Sequence, residues 1–323
     1  MANSEKQRDY DLIVIGSGPS GINAAIQAAK LGKKVAIIEK AIGKIGGGWI
    51  HWGTLPSKTL REGLESIQSI KNHVGEVWVS RVLEDLHTGK LFGRSKKVSL
   101  EEELLIRKYI KNNKIFLLEG YGSIEDRSVV RVVPATGEPY LLTTYFTLIA
   151  TGSRPRRPAN IPFDGWRVVD TDEILALEHI PKSMLIYGAG VIACEYACIF
   201  GSLGVDVTVV DTRKRILQYL DHEIGRELQK SMEALGVKFA LGIELSDIII
   251  RGPRVVATFG ETRLDAEVFY YCAGRTPSTA HMGLEKVGID TNDRGYILVN
   301  ENFQTNVSNI YAAGDSVGPP ALA

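Results

Sequence analysis

At 323 residues the chain is long enough for about two domains, each with its own apolar core. Its 44% hydrophobic and 24% charged residues are ordinary globular proportions and argue against a disordered or fibrous chain. Thirty-eight basic residues balance 38 acidic ones, so no net field draws the chain to nucleic acid or to anionic lipid.

From the N-terminus, residues 1–10 are polar and lack the apolar stretch of a secretory leader. No apolar run reaches the roughly 18 residues that a membrane helix needs. The three cysteines, an odd and sparse count, do not suit a secreted disulfide scaffold. A soluble cytoplasmic protein without a metal site is the expectation. Residues 11–15 form a short continuous apolar run, the pattern of a strand buried on both faces. It leads into Gly16-Ser17-Gly18-Pro19-Ser20-Gly21. A helix follows with Ile22, Ala25, Ile26 and Ala29 on one face, Gly32 closes it, and residues 35–38 give a second strand ending in Glu39. This order of strand, GxGxxG, helix, strand and acid is a dinucleotide-binding unit. Gly16 permits the tight turn, Gly18 admits a pyrophosphate, and Gly21 lets helix and strand pack. The helix then turns its positive end to the phosphates, and Glu39 is placed to accept from ribose hydroxyls.

Residues 57–112 are rich in helix formers and read as a helical excursion from the first unit. Their charges, dense at Glu101, Glu102 and Glu103, suit a solvated helix face. Strands follow near 115–118, 129–133 and 147–150, the last stopped at Thr151-Gly152. Pro155, Pro158 and Pro162 then make a stiff extended connector.

The first pattern now recurs. Residues 184–187 are a strand, followed by Gly188-Ala189-Gly190-Val191-Ile192-Ala193, a helix to about Leu203, and a strand over 205–210 ending in Asp211. Ala193 takes the third small position. Eighteen residues separate Gly21 from Glu39 and eighteen separate Ala193 from Asp211, so two units share one internal spacing. Two bound dinucleotides are expected. Cys194, Cys198 and Cys272 read as small core residues.

With these motifs the chain resembles the FAD-dependent pyridine nucleotide–disulfide oxidoreductase superfamily, and within it the soluble (Si-specific) pyridine nucleotide transhydrogenase branch. The resemblance rests on residues 16–21 with Glu39, residues 46–58 (Gly-Gly-Gly-Trp-Ile-His-Trp-Gly-Thr-Leu-Pro-Ser-Lys), Ala150-Thr151-Gly152, residues 188–195, Ala273-Gly274-Arg275 and residues 310–315. It implies an α/β fold of two doubly wound, three-layer Rossmann-like domains. FAD falls to residues 1–155 and 280–323, and NAD(H) or NADP(H) to 156–279. It also implies that Gly47, Gly48, Thr54, Thr151, Gly152, Gly314 and Asp315 line the flavin, and that Gly188, Gly190, Gly274 and Arg275 line the nicotinamide nucleotide.

Disulfide reductases of this superfamily carry two cysteines five apart before the Pro-Ser-Lys. Trp49 and Thr54 stand there instead, so no protein disulfide can relay electrons to a thiol substrate. The Trp49 indole either stacks on an isoalloxazine or fills volume. Lys58 and Glu195 occupy the positions of the superfamily's ion pair beneath flavin N5. At about 4 Å and an effective dielectric near 20 such a pair is worth up to roughly 4 kcal/mol before desolvation. Asp211 suits a ribose diol, while Arg213 and Arg215 suit a 2′-phosphate, so both nicotinamide cofactors are expected.

After Asp315 only eight residues remain. The resemblance places a flavin-contacting helix and a dimerisation domain beyond this point. The sequence therefore reads as part of a longer homodimeric or larger protein, with weak FAD binding by residues 1–323 alone. The activity implied is ping-pong hydride transfer from NADPH to NAD+ through FAD. The rivals are a diaphorase with a quinone-like acceptor and a catalytically silent dinucleotide-binding module.

Overall fold

A computed structural model of the chain describes residues 7–74 and 88–320. They divide into two compact units, one of residues 7–54, 99–154 and 276–320, the other of residues 55–74, 88–98 and 155–275. Each is built on an open parallel sheet.

In the first unit, β1 (Tyr10–Ile15) lies between β2 (Val35–Glu39) and β5 (Tyr140–Ile149). Outside them run β3 (Phe116–Asp126) and β16 (Ile310–Ala312), giving the parallel order β3-β2-β1-β5-β16. The register sets Ile13 against Ala36 on one side and Thr147 on the other. Ile13, Ile38, Ile149 and Ile310 fill the core, each burial contributing about 1.5–3 kcal/mol. β3 and β5 are longer than the short apolar runs suggest. Their far halves pair antiparallel with β4 (Val129–Pro134), where one face is half-solvated and the apolar signal is diluted. Helix α1 (Pro19–Lys30) starts at Gly18 with Pro19 in its first turn and buries Gly21, Ile22 and Ala25. A single turn, α2 (Gly48–His51), precedes α3 (Thr54–Val74).

The second unit has the order β10-β9-β8-β14-β7, from β7 (Val168–Val169), β8 (Ser183–Tyr187), β9 (Asp206–Asp211), β10 (Lys238–Leu241) and β14 (Val268–Tyr271). An antiparallel sheet of β11 (Asp247–Arg251), β12 (Arg254–Phe259) and β13 (Thr262–Ala266) completes it. Helix α5 (Val191–Ser202) is apolar nearly all round, with seven buried residues, because it packs inside the unit.

The helical excursion resolves into α3 and α4 (Thr88–Asn112); residues 75–87 of that expected helix lie outside the described residues. It does not stay wholly with the first unit. Leu60, Leu64 and Phe92 join the core of Tyr196, Phe200 and Tyr270, so residues 55–98 group with the second. The chain crosses between units at 154/155, within β6 (Ser153–Pro155), and at 275/276, within β15 (Arg275–Pro277). The proline connector is not uniformly extended either. Ile161 N–H donates to Pro158 O at 3.2 Å, and the turn drops Ile161 into an apolar cluster with Val168 and Phe269.

Candidate functional site

The first crevice opens at the C-terminal ends of β1 and β5, where ligands of open α/β sheets bind. Gly16 has φ +106, and a methyl there would stand 2.3 Å from the Ala150 carbonyl oxygen, so the loop can press against β5 only with glycine. A methyl on Gly21 would stand 2.1 Å from Gly16 O, whereas Gly18 and Gly48 face open space. Gly47 abuts Gly18, with 2.9 Å left for a methyl against its Cα, and Gly314 abuts Ser20. Helix α1 has no side-chain cap and no acid in its first turn, which leaves its first N–H groups available to an anion. Glu39 Oε2 accepts from Ser17 N (2.9 Å) and Ser17 Oγ (2.6 Å), while Oε1 accepts from Ala41 N (2.8 Å). Of the roughly four acceptor sites on a carboxylate, one remains. Asp315 accepts from Ser153 Oγ at 2.7 Å, beside Gly152. The structure thus gathers Gly16, Gly18, Gly21, Glu39, Gly47, Gly48, Thr151 and Gly314 around one loop.

The second crevice repeats the arrangement. Gly188, at φ +122, would put a methyl 2.9 Å from Cys272 O, while Gly190 and Gly274 face open space. Helix α5 is again uncapped. Ala193 is fully buried, so its methyl is taken into the core. Asp211, 4% exposed, is more enclosed than a free ribose-binding acid. Oδ2 accepts from Ala189 N (2.6 Å) and Arg213 Nη2 (2.6 Å); Oδ1 accepts from Arg213 N (2.7 Å) and Nε (2.9 Å). Burial alone would raise the Asp211 carboxyl, but the Arg213 bonds outweigh it and hold the group below the usual range. Arg215 Nη2 donates to Gln218 O at 3.3 Å, and Arg275 Nη1 to Thr171 Oγ1 at 3.3 Å.

Lys58 on α3 and Glu195 on α5 meet at 3.3 Å within the second unit. In the chain alone their side chains are 56% and 37% exposed. An exposed pair contributes about 0–1 kcal/mol to stability rather than the roughly 4 kcal/mol of a sheltered one. The cysteines hold no disulfide among the described residues, and burial pushes the Cys194 thiol up to about 12 and Cys198 and Cys272 upward as well. None is poised as a thiolate.

A partly buried polar network in the first unit, with Arg107 and Glu119 about one third exposed, has no counterpart in the sequence patterns. His51 Nε2 lies 3.0 Å from Ile45 O and 3.7 Å from Glu103 Oε2; Glu103 accepts from Arg107 Nε at 2.9 Å, and Arg107 Nη2 reaches Glu119 at 3.1 Å. Glu103, read as part of a solvated face, is 6% exposed. Its i,i+4 spacing to Arg107 was the one available signal; nothing local marked His51. Burial lowers the His51 imidazole, so the ring is neutral at pH 7.

Both crevices fit a dinucleotide: open glycines, uncapped helices and an acid ending the next strand. Elsewhere in the first unit, Trp49 Nε1 and Thr151 Oγ1 are buried without a partner among the described residues. The family model for the pyridine nucleotide-disulphide oxidoreductases matches residues 10–323. The chain belongs to that family. Pyridine nucleotide-disulphide oxidoreductases bind FAD and NAD(P)H, the two dinucleotides that the paired crevices suit. This member is 39% identical over 318 residues to a soluble pyridine nucleotide transhydrogenase of Mycobacterium bovis (strain BCG / Pasteur 1173P2), over 98% of this chain and 68% of that one. It is 38% identical over 323 residues to the soluble pyridine nucleotide transhydrogenase of Marinomonas sp. (strain MWYL1), with the same shares. The crystal structure of LpdA from Mycobacterium tuberculosis matches at TM-score 0.88 and 25% identity, over 96% of this chain and 69% of that one. The chain therefore spans about two thirds of the length of these relatives. Among the described residues no helix is long and apolar enough to cross a membrane.

Proposed function

We propose that the first unit carries FAD and the second NAD(H) or NADP(H), and that the enzyme passes a hydride from NADPH to NAD+ with no sulfur relay. Bound FAD supplies the two-electron carrier between the two nicotinamide couples. In the first unit Gly16, Gly18, Gly47 and Gly48 bring backbone to the pyrophosphate, and Glu39 offers its remaining acceptor site to the adenosine ribose. Thr54, Thr151, Gly152, Gly314 and Asp315 line the rest of that cofactor. Lys58 lends positive charge where reduction accumulates negative charge, and Glu195 holds its ammonium in place.

In the second unit Gly188, Gly190, Ala193, Gly274 and Arg275 surround the nicotinamide nucleotide. Asp211 has no acceptor site left while Arg213 is bonded to it. Ribose hydroxyls bind Asp211 when Arg213 turns away, and the released guanidinium is then free for a 2′-phosphate. One pocket can therefore serve both cofactors in turn, as a ping-pong cycle requires.

The observation that carries this reading is the pairing of two complete dinucleotide crevices with Trp49 and Thr54 at the positions of the two redox thiols. Stopped-flow mixing of the FAD-loaded protein with NADPH should bleach the flavin, and thio-NAD+ should restore its colour. Reoxidation by a quinone but not by thio-NAD+ would replace the transhydrogenase with a diaphorase. A flavin that NADPH leaves oxidised would sink both.

A further inference from the structure

Among the described side chains of the first unit, two buried polar atoms have no hydrogen-bond partner: Trp49 Nε1 and Thr151 Oγ1. Natural proteins keep few such atoms, because each surrenders its hydration for nothing. Both belong to segments that converge on the Gly16–Gly21 loop. A methyl on Gly47, two residues before Trp49, would stand 2.9 Å from Gly18 Cα, and one on Gly16 would stand 3.1 Å from Thr151 N. Slack in the segment does not explain the lone N–H. Gly46 N donates to Ser17 Oγ at 3.1 Å on one side of Trp49, and Ser99 Oγ donates to Ile50 O at 2.7 Å on the other. The segment is tied down on both sides, and among the described residues the indole N–H has no acceptor.

We infer that the Trp49 indole N–H is a hydrogen-bond donor held for an acceptor atom of FAD in the first crevice. The inference rests on the assignment of FAD to that unit. An indole nitrogen donates and never accepts, so its partner must bring a lone pair, from an isoalloxazine carbonyl or ring nitrogen or from a pyrophosphate oxygen. Trp49 is then a binding residue, neither a volume filler nor a block to the site. Because the N–H is unpaired without FAD and paired with it, its removal acts with opposite sign on the two forms.

The test replaces Trp49 with β-(3-benzothienyl)alanine, which keeps the ring shape and lacks the N–H. Melting temperature is read with and without FAD, and FAD affinity by quenching of flavin fluorescence. The form without FAD should melt at the same or a higher temperature, the loaded form lower, with FAD bound about fivefold to tenfold more weakly. Trp49→Phe is the parallel variant: its lost volume weakens both forms, and the excess loss in the loaded form reports the N–H. Weaker ADP-ribose binding in the isostere assigns the acceptor to the pyrophosphate; unchanged ADP-ribose binding with weaker FAD binding assigns it to the isoalloxazine. Wild-type FAD affinity in the isostere, or equal loss in both forms, overturns the inference. A native chain whose melting does not respond to FAD overturns instead the assignment of FAD to this unit.

Discussion

Asp172 shows how one buried carboxyl becomes a pH dependence. Burial pushes it up to about 6 from 3.8; Arg275, 3.9 Å away, opposes the rise and the Asp170 charge adds to it. The folded chain then holds a proton that the unfolded chain gives up, so stability falls as pH rises from about 4 through 6. With solvent screening of a partly exposed side chain, the loss is about 1–2 kcal/mol. Urea titrations of Asp172→Asn across that window should show a flatter profile than the native chain; parallel profiles would discard this account. At Arg213 the prediction concerns binding. Arg213→Ala removes the fork proposed to answer a 2′-phosphate and frees the Asp211 acceptor sites it holds, so 2′,5′-ADP should bind about tenfold to a hundredfold more weakly while 5′-ADP binds as tightly as to the native chain or more tightly. Equal losses for both nucleotides, measured by calorimetry, would count against the clamp. Glu195→Gln should cost less than about 1 kcal/mol of stability, because the pair with Lys58 is exposed, yet slow flavin reduction by NADPH. A thermal melt and a stopped-flow trace on one preparation separate the two effects.

Within the strand–loop–helix element, glycines that look alike in sequence differ in what surrounds them. Gly16→Ala drives a methyl into the Ala150 carbonyl from a backbone that disfavours side chains, and should destabilise the first unit by more than about 3 kcal/mol. Gly18→Ala meets no atom within 4 Å and should fold normally, yet its methyl occupies the space through which a pyrophosphate approaches. Denaturation midpoints and FAD titrations of the two variants should therefore rank in opposite order. Comparable stability losses in both would show that the loop is constrained by folding alone. The helix α4 face shows the limit of pattern reading. Glu103 counts as one more charge in a charge-dense run, and only the fold brings His51 and Arg107 to it.

For the molecule as a whole, the proposed hydride transfer without a sulfur relay predicts that replacing Cys194, Cys198 and Cys272 together with serine or alanine leaves NADPH-driven flavin reduction at its native rate. Loss of that half-reaction in a folded triple variant would bring thiol chemistry back. The two sheets, their Gly loops and the acids at Glu39 and Asp211 were legible in the sequence because each depends on neighbours a few residues away, where period and spacing record the constraint directly. Backbone turns, apolar strand runs and helix starts are local physics, and local physics is written in order along the chain. The grouping of residues 55–98 with the second unit, the exposure of Lys58 and Glu195, the locking of Asp211 by Arg213 and the unpaired Trp49 N–H depended on contacts across long sequence separation. Those were settled only by which surfaces came to lie together on folding, since the same side chain is strong or weak, paired or orphaned, according to what excludes water from it.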